Sequence, residues 1–288
     1  VAVHPELIAL ARASRAVMVL PLLRPLLRNP LYRAHVGRLQ DTRHLDVLTR
    51  RRYLSAHLGV RRRVAAAAAH YRDQVERFDP AYAHAVYHDG GLVLWERRSE
   101  TATYALRLQA GNDVLNEGGL SIVLFVGAER VAVCSFSYLD GPDVGLPEGR
   151  RIFVGRLQQS PDRGYQADFH RDLHHSVPVR LLLAALSGIA VLDGADRVAV
   201  VTALTHPNYK PEFDAGMHRS YDETVLALGA TRHGPVFHLP VPLRFPPIEE
   251  VSRKKRPRAR ARRALLAEIA EATETVLRAH LREPTATR

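Results

Sequence analysis

The sequence is poor in the residues that most often announce chemistry or compartment. Its 288 residues hold one cysteine, one tryptophan and two methionines. A lone cysteine, Cys134, makes no intrachain disulfide and no cysteine-based metal site, which fits a reducing compartment. Long apolar runs are missing too. Near the N-terminus the longest is Ala16–Leu23, bounded by Arg15 and Arg24 and broken by Pro21. A bilayer-crossing helix needs roughly 20 apolar residues, and no small-residue cleavage site follows. The chain therefore reads as soluble and cytoplasmic. There is no H-E-x-x-H motif, no helix-turn-helix or zinc-finger pattern and no glycine-rich phosphate loop, so nucleic acid is not the expected main partner.

Lysine is scarce: Lys210, Lys254 and Lys255 are the only ones among 41 basic residues. The arginine excess, with abundant alanine, has the look of a GC-rich coding habit. Thirty acidic residues leave a net charge of +11, which suits nucleic acid, anionic lipid or a phosphorylated ligand without choosing among them. With 46% hydrophobic and 25% charged residues, the composition is ordinary globular and excludes a wholly disordered or fibrous chain.

The patterning predicts an α+β protein in three parts. Residues 1–60 read as a helical N-terminal cap, with Leu7, Leu10, Leu20, Leu23 and Leu27 on an apolar face punctuated by prolines. Residues 61–250 form the core. One amphipathic helix over Arg62–Phe78 leads into strands at Leu92–Glu96, Tyr104–Leu108, Leu120–Val126 and Val131–Tyr138, then Arg151–Gln158 after a Gly/Pro-rich loop. These make an antiparallel meander. Ser176 as N-cap and Pro178 then open a continuously apolar helix, Val179–Leu192, stopped by Gly194 and followed by a buried-type strand, Arg197–Leu204. Strand, helix and strand make a β-α-β crossover with parallel strands. Ser220–Glu223 fits a capping box for a second helix ending at Gly229, and Pro235–Val241 is a last strand. Residues 251–288 hold eight cations between Arg253 and Arg263, then an amphipathic helix with Leu265, Ile269, Ala272 and Val276 on one side.

With those segments placed, the chain resembles the VirK/YbjX family of bacterial proteins. The resemblance rests on Ala69-His70-Tyr71, Glu117-Gly118-Gly119-Leu120-Ser121, Val154-Gly155-Arg156-Leu157-Gln158, Leu173-His174, Ser220-Tyr221-Asp222, Leu228-Gly229 and Pro247–Arg256. It implies a link to antimicrobial peptide resistance and virulence at the level of process. Where that family has Leu-His-Gly followed by Arg-Pro-Lys, this chain has Leu173-His174-His175-Ser176-Val177-Pro178-Val179. The topology is also similar to the GNAT acyltransferase fold. That similarity implies an acyl-CoA or related acyl donor in a gap between parallel strands, with its pyrophosphate at the start of the crossover helix. The loop 158–166 lacks the glycine-rich signature of that fold.

Three functional readings follow. In the leading one, the protein is an acyl- or aminoacyl-type transferase acting on an amine of a peptide, envelope component or small metabolite. Gln158, Gln159, Arg163, Gly164 and Ser176 face the donor. Glu117 and His174 serve as acid or base, and Tyr221 or Tyr209 protonates a leaving thiolate. The position that carries the tyrosine in many GNAT enzymes is held here by Val225. In the second reading, Asp168–His175 is helical, so that His170 and His174 lie one turn apart and grip iron or another divalent metal with His206 or Asp214 as third ligand. In the third, the protein is a non-enzymatic module that contacts cationic peptides or a membrane surface, the basic tail meeting the anionic membrane. Against each stands a plainer role for the same residues: capping and surface histidines, a turn carboxylate paired with arginine, aromatic packing and a solvated charge run. Cys134 reads as a small core residue.

Overall fold

The computed structural model describes residues 20–36, 53–111, 117–159 and 166–283. An open, mixed, eight-stranded sheet organises them: β1 (Leu92–Arg98), β2 (Thr103–Ala110), β3 (Leu120–Val126), β4 (Glu129–Asp140), β5 (Arg150–Gln159), β6 (Arg197–Val201), β7 (Thr231–His233) and β8 (Val236–Pro240). Their order across the sheet is β1-β2-β3-β4-β5-β6-β8-β7. The first five form the antiparallel meander, because short turns between alternating strands leave neighbours in sequence as neighbours in space. β6 then runs parallel to β5, with Phe153 opposite Ala199 and Val154 opposite Val200. The expected parallel crossover is present.

That parallel ladder is short. It stops at Val154–Val200, while β5 continues to Gln159 paired only with β4. A β-bulge accompanies the change: Ser135 faces Arg156 and Phe136 faces Val154, so Gly155 is the extra residue. Bulges bend the strand that holds them and re-aim side chains. Only glycine fits at this bulge, since a Cβ there would lie 2.1 Å from the Glu117 carbonyl oxygen.

Alternation along the central strands splits the core between the two faces of the sheet. Ile152, Val154, Val198 and Val200 belong to one apolar cluster, Phe153, Ala199 and Val201 to the other. On the first face lie α4 (Pro178–Leu192) and the C-terminal helix α6 (Arg256–Ala279). α4 is apolar all round because the sheet and α6 bury it from Leu181 to Ala190. The second face is covered by α1 (Val60–Arg77) with Leu23, Leu26, Tyr32, Tyr53 and Leu54 from the N-terminal part. α2 (Pro80–Tyr87) packs along β1 and β2, and α3 (Gln166–Asp172), which follows β5 in the chain, sets Phe169 against Tyr104 of β2. No helix among the described residues is long and apolar enough to cross a membrane.

Several boundaries differ from the sequence reading. The N-cap of α4 is Val177, and Ser176 does not cap it. β6 ends at Val201 because the Ala203 N–H donates to Asp222 Oδ1 at 2.7 Å, turning the chain away. The segment Ser220–Glu223 does not begin a helix. It lies inside α5, helical over 214–226, in a π-helical turn His218–Glu223.

α4 and α6 pack tightly at Gly188, where a Cβ would lie 2.3 Å from the Ala270 carbonyl oxygen. Glycine to alanine inside a helix ordinarily stabilises by about 0.5–1 kcal/mol. Here Gly188→Ala forces two helices apart and should destabilise by about 1–3 kcal/mol in urea unfolding. A gain in stability would contradict the contact.

Candidate active site

β5 beyond Gly155, the loop after β6 and α5 enclose a cavity of about 820 Å³. Its wall is apolar at Leu157, Val177, Val179, Phe213, Met217 and Leu228, and basic at Arg180 and Arg219. Four polar lining side chains cluster there, Glu117 before β3, His206 and Asn208 after β6, and Tyr221 on α5, and Arg156 on β5 joins them through Glu117. Glycines allow this convergence. Gly155 lets the Glu117 backbone rest on the bulge, and a Cβ on Gly119 would collide with the His70 ring.

Glu117 is 4% exposed. Its Oε1 accepts from Asn208 Nδ2 at 2.7 Å and lies 3.4 Å from His206 Nε2. Its Oε2 lies 3.3 Å from Arg156 Nε. Arg156 in turn donates from Nη2 to Gln158 Oε1 at 2.6 Å. Burial raises the Glu117 carboxyl above its usual range, and the Arg156 charge and the Asn208 hydrogen bond oppose the rise. A carboxylate in this setting has gained basicity without losing its anchor.

The imidazole of His206 has a defined tautomer. The Asn208 backbone N–H donates to Nδ1 at 3.1 Å, so Nδ1 is an acceptor and Nε2 carries the hydrogen of the neutral ring. Burial, then the Arg156 charge, lowers the imidazole to about 4. At neutral pH the contact with Glu117 is therefore not an ion pair. Nε2 lies 2.9 Å from Tyr221 Oη and donates to it. The phenolic proton is thus left to point elsewhere. Burial and then the Glu117 charge push the phenol up, while Arg156 and a backbone hydrogen bond from Leu157 act the other way. Tyr221 stays protonated at neutral pH.

Each element is braced. Asp222 holds α5 to the end of β6 through Ala203, and its Oδ2 lies 2.7 Å from His218 Nδ1. The loop bearing His206 is tied to the N-terminal part: Ala56 N and Ser55 Oγ both donate to the Thr205 carbonyl, at 2.7 and 3.0 Å.

The structure thus brings together Glu117, Tyr221 and His206, which the sequence reading assigned to different roles, and puts Gln158 and Gln159 on the cavity wall. Arg163 and Gly164 lie outside the described residues. Ser176 is fully buried beside the start of α4 and is not among the cavity-lining residues. His174 does not line the cavity either. α3 ends at Asp172, and His174 and His175 both adopt positive φ, +53° and +56°. The one-turn spacing of His170 and His174 is lost, and His170 instead stacks on His175 at 5.7 Å. Among the described residues no group of three His, Cys, Asp or Glu is arranged to hold a metal ion. His175 takes the left-handed conformation, to which glycine is the residue best suited. Tyr209 is occupied with Asp214 Oδ1 at 2.7 Å. Cys134 is buried, its thiol pushed up to about 12 by burial. Asn208 and Arg180 escaped the sequence reading. The only signal for Asn208 was its place just after a buried strand.

His206 also sets a pH dependence. Its folded value lies below the unfolded 6.5, so between those values the unfolded chain binds the extra proton. The stability His206 contributes is intact above pH 6.5 and declines toward pH 4, by on the order of 2–3 kcal/mol. Urea midpoints at pH 7 and pH 5 should differ more for the native chain than for His206→Gln. Equal differences would show that the imidazole is not held neutral.

A family model described as "Protein of unknown function (DUF535)" matches residues 32–275, a span that includes all five residues of the polar cluster. Searches of curated proteins and of solved structures gave no match. The matched span covers most of the chain, which therefore belongs to the DUF535 family, the VirK/YbjX family of its motifs.

Proposed function

We propose that the protein is an acyl- or aminoacyl-type transferase, moving an acyl group from an activated donor such as an acyl-CoA to an amine. One observation carries the reading. The stretch of β5 released from β6 borders the same cavity that Glu117 and Tyr221 share. Its volume is in the range of small-ligand sites. A strand edge without a neighbour offers N–H and C=O groups to an extended ligand such as a pantetheine arm. The arrangement is similar to that of GNAT acyltransferases, an analogy of fold that supports the class of reaction and not the substrate.

The chemistry follows from the two protonation states. The acceptor amine attacks the thioester carbonyl, forming a C–N bond, and its proton passes to the Glu117 carboxylate. As the C–S bond breaks, Tyr221 gives its proton to the leaving thiolate. The Tyr221 oxygen accepts from His206 Nε2–H, which leaves the phenolic proton free for the cavity and steadies the phenolate that forms. The acceptor is a peptide, envelope component or small metabolite.

Thiol release from a panel of acyl-CoAs with amine acceptors tests this. Glu117→Gln keeps the contact with Asn208 and should lower kcat by about 10²–10⁴-fold. Tyr221→Phe should lower kcat with little change in KM. If no acyl donor raises the melting temperature and none releases thiol, the proposal fails.

A further inference from the structure

The reaction cavity is unevenly charged. With His206 held neutral, its formally charged lining residues are Glu117, Arg180 and Arg219. The Glu117 carboxylate already has Arg156 Nε at 3.3 Å and Asn208 Nδ2 at 2.7 Å, so its charge is answered by a residue that does not line the cavity. Arg180 is half-buried and Arg219 more open, and neither side chain makes a hydrogen bond or ion pair with a described residue. The acids closest to them on α5 are engaged elsewhere. Asp214 accepts from Tyr209 Oη at 2.7 Å and lies 3.3 Å from His218 Nε2. Asp222 accepts from Ala203 N and faces His218 Nδ1, both at 2.7 Å. Glu212 and Glu223 are exposed and do not line the cavity.

Two further cations strengthen the same sign. Lys210 Nζ lies 5.8 Å from the ring centroid of Phe213, a lining residue. Arg262 stands close enough to Arg180 to lower its guanidinium, after burial, which is the larger cause. A positive wall of this kind selects among amines. A guanidinium fork matches the paired oxygens of an acid group and binds it with charge-assisted hydrogen bonds. The same wall repels an acceptor that carries a second cation.

We propose that the acceptor is an amine with an acid group of its own, an amino acid or an aminoalkyl phosphate, whose acid is held by Arg180 and Arg219 while Glu117 receives the amine. The inference rests on the transferase reading of the cavity and narrows it, setting aside polyamines and lysine-rich peptides. The positive wall also prepares the nucleophile. The acceptor arrives as an ammonium, and nearby guanidiniums disfavour that charged form, so one proton leaves to solvent. The neutral amine then forms the C–N bond, its second proton passes to Glu117, and the thiol departs with the proton from Tyr221. The acid group is unchanged.

Paired acceptors read the acid group directly. Norleucine and pentylamine differ by one carboxylate, phosphoethanolamine and ethanolamine by one phosphate. The donor is a phosphate-free N-acetylcysteamine thioester, so that no donor charge competes for the arginines. In at least one pair the acid-bearing member should have kcat/KM higher by about tenfold or more, and the pair that shows it identifies the acid. Arg180→Gln and Arg219→Gln should each cut that ratio by about fivefold or more through the acceptor KM. Arg260→Gln removes the same charge from an exposed position on α6 and should leave the ratio within about twofold. Equal kcat/KM within both pairs would overturn the proposal, as would faster turnover of cadaverine than of the acid-bearing amines. So would a rise in the thioester KM with the ratio intact, which would give the arginines to the donor. If no acceptor releases thiol, the transferase reading falls and calorimetry on the full chain tests the acid subsite by itself. Norleucine or phosphoethanolamine binding more tightly than its acid-free partner, and weakened by Arg180→Gln, keeps the subsite; equal binding removes it.

Discussion

A parallel strand pair that bonds over only two residues is the constraint on which the rest depends. Beyond Val154 the edge of β5 has lost its partner β6, and the Gly155 bulge bends it away. Backbone donors and acceptors at such an edge need partners. The protein meets part of that demand with Tyr221, whose hydroxyl receives a backbone hydrogen bond from Leu157, and leaves the rest facing a cavity. The glycine at the bulge then admits the Glu117 backbone, which brings the carboxylate to the same place. Fold and site are thus one geometric event.

The electrostatics of the cluster are arranged by burial more than by pairing. Glu117 has an arginine and an amide within reach, yet burial still raises its carboxyl. His206 sits beside that carboxylate and remains neutral, because burial excludes water from it and Arg156 stands close. A neutral imidazole with a fixed tautomer orients Tyr221 without adding charge. The cluster therefore holds one carboxylate of raised basicity and one protonated phenol on the wall of the chamber.

Much of this was legible in the chain. Alternation and turn residues give the meander. The apolar Val179–Leu192 between two strand-like runs gives the parallel crossover, since no polar stripe on that helix could face water. Glu117 and Tyr221 stand out from the Glu-Gly-Gly and Ser-Tyr-Asp segments. The histidine cluster did not survive, because two consecutive left-handed residues end α3 without a glycine to announce the break. Ser176 carries the usual mark of a cap, but the helix is capped one residue later, and the serine hydroxyl has no hydrogen-bond partner among the described residues. Asn208 and Arg156 acquire meaning only when strands distant in sequence are placed side by side, and no local pattern encodes that.

A crystal structure with a thioether analogue of an acyl-CoA would examine the central claim most directly. The account predicts the analogue lying along β5 from Gly155 to Gln159, its carbonyl within about 3.5 Å of the acceptor position beside Glu117, and its sulfur next to Tyr221 Oη. An analogue bound elsewhere, with β5 and β6 joined past Val154 and the chamber filled by side chains, would contradict it.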